Sequence, residues 1–146
     1  RIKELGYAVK LDTNGGNPAM VGSLLDQHLL DYIALDVKAS EEAYPVVCGP
    51  HARWEAVEET LSLLKGSPLP FEVRTTVYPT MQGADLLRVS TMIGTVPLWR
   101  LNTYRIPDLY KETDTDRIHA PVMEKETIKG WIEENRERIE ALHVTT

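Results

Sequence analysis

Four short stretches of this sequence end in polar residues of kinds that bind or orient a charged ligand. They are Asp12-Thr13-Asn14-Gly15, Asp36-Val37-Lys38, Arg74-Thr75-Thr76 and Asn102-Thr103-Tyr104-Arg105. Two carboxylates at adjacent strand ends, Asp12 and Asp36, could accept from an amine, bind ribose hydroxyls or hold a small cation. Lys38 and Arg74 add positive charge suited to a carboxylate or phosphate. Gly15 permits a positive-φ turn, and Thr13 and Asn14 can hydrogen-bond that turn. The competing reading of these residues is a structural salt-bridge network, such as Asp36 with Lys10 or Arg74, and the two readings are compatible. His28, His51, His119 and His143 have no metal-ligand spacing, and Cys48 is the single cysteine. One thiol makes neither an internal disulfide nor a cysteine-rich metal site, so a reducing, cytoplasmic location is the default expectation.

The elements that must position these residues follow from alternation. Ala8-Val9-Lys10-Leu11-Asp12, Ala34-Leu35-Asp36-Val37-Lys38, Glu72-Val73-Arg74-Thr75-Thr76-Val77 and Trp99-Arg100-Leu101-Asn102 place a polar or charged residue on every second position. In strands, this puts Val9, Leu11, Ile33, Leu35, Val37, Val73 and Val77 on one face and Lys10, Asp12, Asp36, Lys38, Glu72 and Arg74 on the other. A helical pattern follows each of the first three runs, so the expected fold is α/β: parallel strands with helices covering the apolar face. The charged face is then the inner wall of an open or partial barrel. Charge there needs partners, water or a ligand, which marks it as the candidate site.

Strands are expected at about Tyr7–Asp12, Tyr32–Val37, Phe71–Val77 and Leu98–Asn102. Asn17 before Pro18 reads as an N-cap, and Val21, Leu24, Leu25 and Leu29 form the first apolar stripe. Trp54, Val57, Leu61 and Leu64 mark a stronger helix ending at Gly66, and Leu87, Val89 and Ile93 another near Ala84–Ile93. The stretches Ala39–Pro50 and Tyr104–Pro121 read as irregular loops. An acidic helix at about Glu124–Glu140 and a short edge strand at Leu142-His143-Val144 complete the chain. Arg1–Gly6 reads as the last turn of a helix closed by glycine, which suggests the back portion of something longer.

The 146 residues suffice for a single domain with a substantial core, with 106–146 the more divergent part. A net charge of −6 argues against general binding to nucleic acid. No apolar stretch approaches the roughly 20 residues of a membrane span.

The stretch Ile2 to Gly15, with its Leu-Asp-Thr-Asn-Gly end, resembles a passage of radical S-adenosylmethionine enzymes. The resemblance is to the activating enzymes of glycyl-radical proteins, above all the anaerobic ribonucleoside-triphosphate reductase activating type. Asp31 to Ala39, Phe71 to Val77 and Leu101 to Arg105 agree in order and spacing, so residues 1–105 carry the likeness. It implies the C-terminal portion of a partial (β/α)6, TIM-like barrel whose open face holds S-adenosylmethionine against a [4Fe-4S] cluster. By resemblance, Asp12 and Thr13 lie near the methionine end of the cofactor, and Asn14 counts among the cofactor-binding residues. Asp36 and Lys38 contact its ribose or carboxylate, Arg74 and Thr76 line the side toward adenosine, and Arg105 approaches from the last matched strand. A monovalent cation at Asp12, Thr13 and Asp36 is a further implication.

The family's CxxxCxxC loop and Gly-Gly-Glu segment do not occur in this sequence. Both are expected upstream of Arg1, in an N-terminally shortened radical enzyme rather than a remnant, because the strand-end residues are still present. The resemblance implies a parent that reductively cleaves S-adenosylmethionine and generates a glycyl radical on a partner such as anaerobic ribonucleotide reductase. An electron donor such as flavodoxin or ferredoxin would serve it. Two alternatives are a radical enzyme acting on a small molecule, as in deazaguanine-type synthases, and a non-catalytic α/β binding module.

Overall fold

A computed structural model describes residues 1–141 and 143–146. In chain order the elements are β1 (Lys10–Thr13), α1 (Pro18–Asp26), β2 (Tyr32–Asp36), α2 (Tyr44–Cys48) and α3 (Trp54–Gly66). There follow β3 (Phe71–Val77), α4 (Gly83–Ile93), β4 (Trp99–Thr103), α5 (Thr115–Ile118), α6 (Lys125–Asn135) and β5 (Val144–Thr145). All adjacent strand pairs are parallel, in the order β1-β2-β3-β4-β5. Strand order that follows chain order, with crossovers of one hand, brings each connection back on the same side of the sheet. One face is therefore covered by helices and the other is left open, the arrangement of an open, TIM-like partial barrel.

The covered face is the one the alternation marks as apolar. Ile33, Leu35, Val37, Val73, Val77 and Leu101 are wholly buried against Val57, Leu61 and Leu64 of α3 and Leu86, Val89 and Ile93 of α4. Each such side chain removed from water contributes about 1.5–3 kcal/mol. Asn17 caps α1 as its sequence implies, Oδ1 accepting from Met20 N at 3.0 Å. Gln82 and Asp85 close a capping box on α4.

Boundaries shift where local signals were weak. β1 starts at Lys10 rather than Tyr7, because Val9 already spends its carbonyl on Asp31 N and its N–H on the Asp31 carboxylate at 2.7 Å. The Ala39–Pro50 stretch contains α2, and the Tyr104–Pro121 stretch contains a 3-10 turn and α5. The acidic helix stops at Asn135, followed by one 3-10 turn at Arg136–Arg138. Arg1–Gly6 forms a 3-10 turn closed by Gly6 in the left-handed region. The edge strand lies at Val144–Thr145, one step beyond the expected place; Leu142, part of that expectation, lies outside the described residues. Trp131 of α6 meets Trp99 edge to face at 84° and fastens the C-terminal helix to the core.

Candidate functional site

The Asp12-Thr13-Asn14-Gly15 turn is held by packing from both sides. Gly15 is buried with φ +72°, and a Cβ there would stand 2.7 Å from Leu35 Cδ1 and 3.3 Å from the Val57 backbone. Its carbonyl accepts from Thr60 Oγ1 of α3 at 2.8 Å. Thr13 Oγ1 accepts from Gly15 N and Asn14 Oδ1 from Gly16 N, so both side chains shape the turn. The register pairs Thr13 with Leu35, which places Thr13 on the helix-covered face, opposite Asp12.

On the open face the register lines up Asp12, Ala34 and Glu72 in one row, and Asp36, Arg74 and Arg100 in the next. Ala34 presents only a methyl, and the Arg74 side chain spans from β3 across β2 to reach β1. Arg74 Nη1 lies 3.3 Å from Asp12 Oδ2, and Arg74 Nε and Nη2 both lie 2.9 Å from Asp36 Oδ1. Lys38 Nζ takes the other Asp36 oxygen at 3.0 Å. Lys10 Nζ stands between Asp12 Oδ1 at 3.5 Å and Glu72 Oε1 at 3.4 Å, and Arg100 Nε meets Glu72 Oε2 at 3.2 Å.

The outcome is a continuous run of alternating charge: Lys38, Asp36, Arg74, Asp12, Lys10, Glu72, Arg100. Both oxygens of each carboxylate face a cation, and the run carries one positive charge in excess. Partial burial pushes the Asp12 carboxyl upward, but Arg74 and then Lys10 outweigh it and hold it below its ordinary value. Burial works against the Arg74 charge as well, and Asp36 and Asp12 more than offset that. No member of the run is placed as a poised nucleophile or a proton-transfer group. Its chemistry is recognition and orientation of charged groups.

The four strand ends thus divide. Asp12, Asp36, Lys38 and Arg74 come together; Thr76 lies on the same face, exposed and in register with Asn102. Thr13 and Asn14 support the turn. Arg105 is exposed beyond β4 and makes no ion pair among the described residues. Lys10 and Glu72, which the alternation places on the charged face, and Arg100 extend the run beyond the strand-end residues. Their signal was the same alternation, and Glu72, on a central strand, becomes the most buried carboxylate of the face, its side chain 6% exposed.

Cys48 is half-buried, and burial pushes its thiol up, with Lys38 and Tyr44 opposing. Among the described residues, no group of three or more His, Cys, Asp or Glu is placed to hold a metal ion. None of the described helices is long and apolar enough to cross a membrane.

Comparison with known proteins agrees with this fold. The chain is 29% identical over 115 residues to a protein of Methanocaldococcus jannaschii named a "putative glycyl-radical enzyme activating enzyme", covering 75% of this chain and 48% of that protein. The chain therefore spans about half the length of the curated relative it matches. Among solved structures, a domain of pyruvate-formate lyase-activating enzyme from Bacteroides vulgatus superposes with a TM-score of 0.66 at 11% identity. That match covers 97% of this chain and 83% of the other, and it establishes the shared fold. No protein-family model matches the chain. The sequence match and the fold together support a relationship to activating enzymes of the radical S-adenosylmethionine type.

Proposed function

We propose that residues 1–146 supply the cofactor-orienting face of a radical S-adenosylmethionine activating enzyme whose target is a glycyl-radical protein. The observation that carries this reading is the Lys38–Asp36–Arg74–Asp12 cluster, in which Arg74 reaches from the middle of β3 to carboxylates toward the carboxyl ends of β2 and β1, where such folds place their ligands. Each carboxylate in the run already faces two cations, so a ligand cation entering there must displace one, whereas Lys38 at the end of the run keeps donors for an anionic group. Stripping a partly buried charge without replacement is strongly unfavourable. S-adenosylmethionine brings an ammonium, a carboxylate and a sulfonium, both signs on one small body, and the residues present fit it.

In this reading Asp12 and Asp36 take its cationic groups or ribose hydroxyls, and Lys38 and Arg74 take its carboxylate. Thr76 continues the face toward the adenosine side, Thr13 and Asn14 hold the β1 turn, and Arg105 approaches from β4. A monovalent cation belongs to the same reading, held by Asp12 and Asp36 after displacing the Arg74 guanidinium that lies between them. When bound, the cofactor supplies the reactive chemistry, reductive cleavage of its carbon–sulfur bond. The residues of this chain bind and orient it.

An iron–sulfur cluster is held by several thiolates, and one raised-pKa thiol at Cys48 does not fit a [4Fe-4S] cluster. Its ligands then come from outside residues 1–146, and this stretch alone is expected not to cleave S-adenosylmethionine. The wider reading adds a cytoplasmic setting and a flavodoxin- or ferredoxin-type electron donor. A protein target is favoured over a small molecule by Ile106, Leu109 and Tyr110, which stand exposed just beyond β4, Leu109 at 92%.

The self-paired state of the run favours a second reading, a binding module whose charges only hold the sheet together. Calorimetric titration of S-adenosylmethionine into the 146-residue chain separates the two. Saturable binding by wild type, weakened about tenfold or more in Asp36→Ala, is the expected result. Absence of binding, or equal affinity in the two proteins, supports the module.

A further inference from the structure

A cavity stands beside the charged face. It has a volume of about 530 Å3 and opens between the β1–α1 turn and the segment from Tyr44 to Val57. Its polar lining consists of Asn14, Lys38, Tyr44, Cys48, His51 and Arg53. We infer that this cavity is a binding site for an oxyanion, a phosphate or carboxylate group carried by a small ligand. The cavity adjoins the cofactor face and shares Lys38 and Asn14 with it, while Tyr44, Cys48, His51 and Arg53 belong to the cavity alone.

The first argument is charge. In a chain of net charge −6, the cavity wall holds the cations Lys38 and Arg53 and no carboxylate, with the His51 ring as a further N–H donor. The second is unspent donor capacity. Arg53 Nε lies 3.7 Å from Glu55 Oε2, at the outer limit of an ion pair, and the Nη groups have no partner among the described residues. Lys38 makes one bond, to Asp36, and an ammonium offers three donors. The third is that the remaining polar groups add no negative charge. Burial pushes the Tyr44 hydroxyl and the Cys48 thiol up, so both are neutral at physiological pH. Val47 and Val57 close the wall with apolar surface, which strengthens an ion contact relative to open solvent. A fork-shaped guanidinium, an ammonium and an imidazole around one hollow are the donor set of an oxyanion site.

The test is titration of inorganic phosphate and, separately, sodium acetate into the full chain at constant ionic strength, with sodium chloride as control. Backbone amide shifts report the site. Saturable shifts centred on Asn14, Lys38 and residues 44–57 are expected for at least one oxyanion and not for chloride. Arg53→Gln should weaken the affinity about fivefold or more, and Arg53→Lys, which keeps the charge but loses the fork, should weaken it less. Arg88→Gln, on α4 and paired with Asp85, should leave it unchanged. Saturation by phosphate alone names a phosphoryl ligand, and saturation by acetate a carboxylate; either supports the site. Linear titrations for both ions, shifts scattered over the surface, or an equal loss in Arg88→Gln overturns it. Where Arg53→Gln loses its dispersed spectrum, the location of the wild-type shifts and the Arg53→Lys affinity decide.

Discussion

The two faces of β2 and β3 are built from neighbouring residues of the same strands and do opposite things. Leu35 and Val73 are wholly buried under α3 and α4, while Asp36 and Arg74, one residue along, lie on the open side in an ion network. The covered face carries stability, because each apolar side chain leaves water without needing a partner. The open face carries recognition: its partly buried ion pairs, Arg74 20% and Asp36 27% exposed, return little net stability after desolvation, yet they fix where charge of each sign sits. Leu35 also touches the space beside Gly15, so the apolar face sets the turn from which Asp12 projects. Stability on one side and binding on the other are joined through that contact.

Substitutions one residue apart should separate the two roles. Leu35→Ala should cost about 2–5 kcal/mol in urea unfolding, the largest effect expected. Asp36→Ala should cost less, about 1–2 kcal/mol, in the same measurement while abolishing most S-adenosylmethionine affinity. Equal destabilisation by the two would dissolve the contrast between the faces. Gly15→Ala should follow at about 1–3 kcal/mol, since a Cβ meets Leu35 and the Val57 backbone and the backbone is left-handed.

Glu72→Gln should come next, at about 1–2 kcal/mol, because Lys10 and Arg100 are left facing each other across a buried amide. The smallest effect is a pH dependence. Arg74 and Lys10 hold the Asp12 carboxyl below its ordinary value despite partial burial, so its stabilising contribution is complete above the ordinary carboxylate value. That contribution is lost as pH falls through the lower folded-state value. Carboxyl titration by NMR should find the Asp12 midpoint depressed in wild type and returned upward in Arg74→Gln. An unchanged midpoint would show that Arg74 does not act on Asp12.

The alternation of Ala34-Leu35-Asp36-Val37-Lys38 and of Glu72-Val73-Arg74 is local and unbroken. For that reason β2, β3 and the assignment of faces could be read without coordinates. The turn at Gly15 and the cap at Asn17 were legible for the same reason, since each is settled within four residues. Less legible were α2 and the cavity it helps to form, because Tyr44-Pro45-Val46-Val47-Cys48 has too few residues to display a period. Arg100 was visible as an alternating residue, but its partner Glu72 lies 28 residues away in sequence.

Chain order and the two-residue period of strands are properties of the sequence alone, and they determined a parallel α/β fold with one oily and one charged side. Register is a property of the folded sheet. It alone decided that Arg74 crosses Ala34 to join Asp12 with Asp36, that Thr13 turns away from them, and that Lys10 bridges to Glu72. The physical reason is range. Side-chain alternation is imposed by bonded geometry, whereas ion pairing depends on which strands lie within a few ångströms once the hydrophobic core has closed.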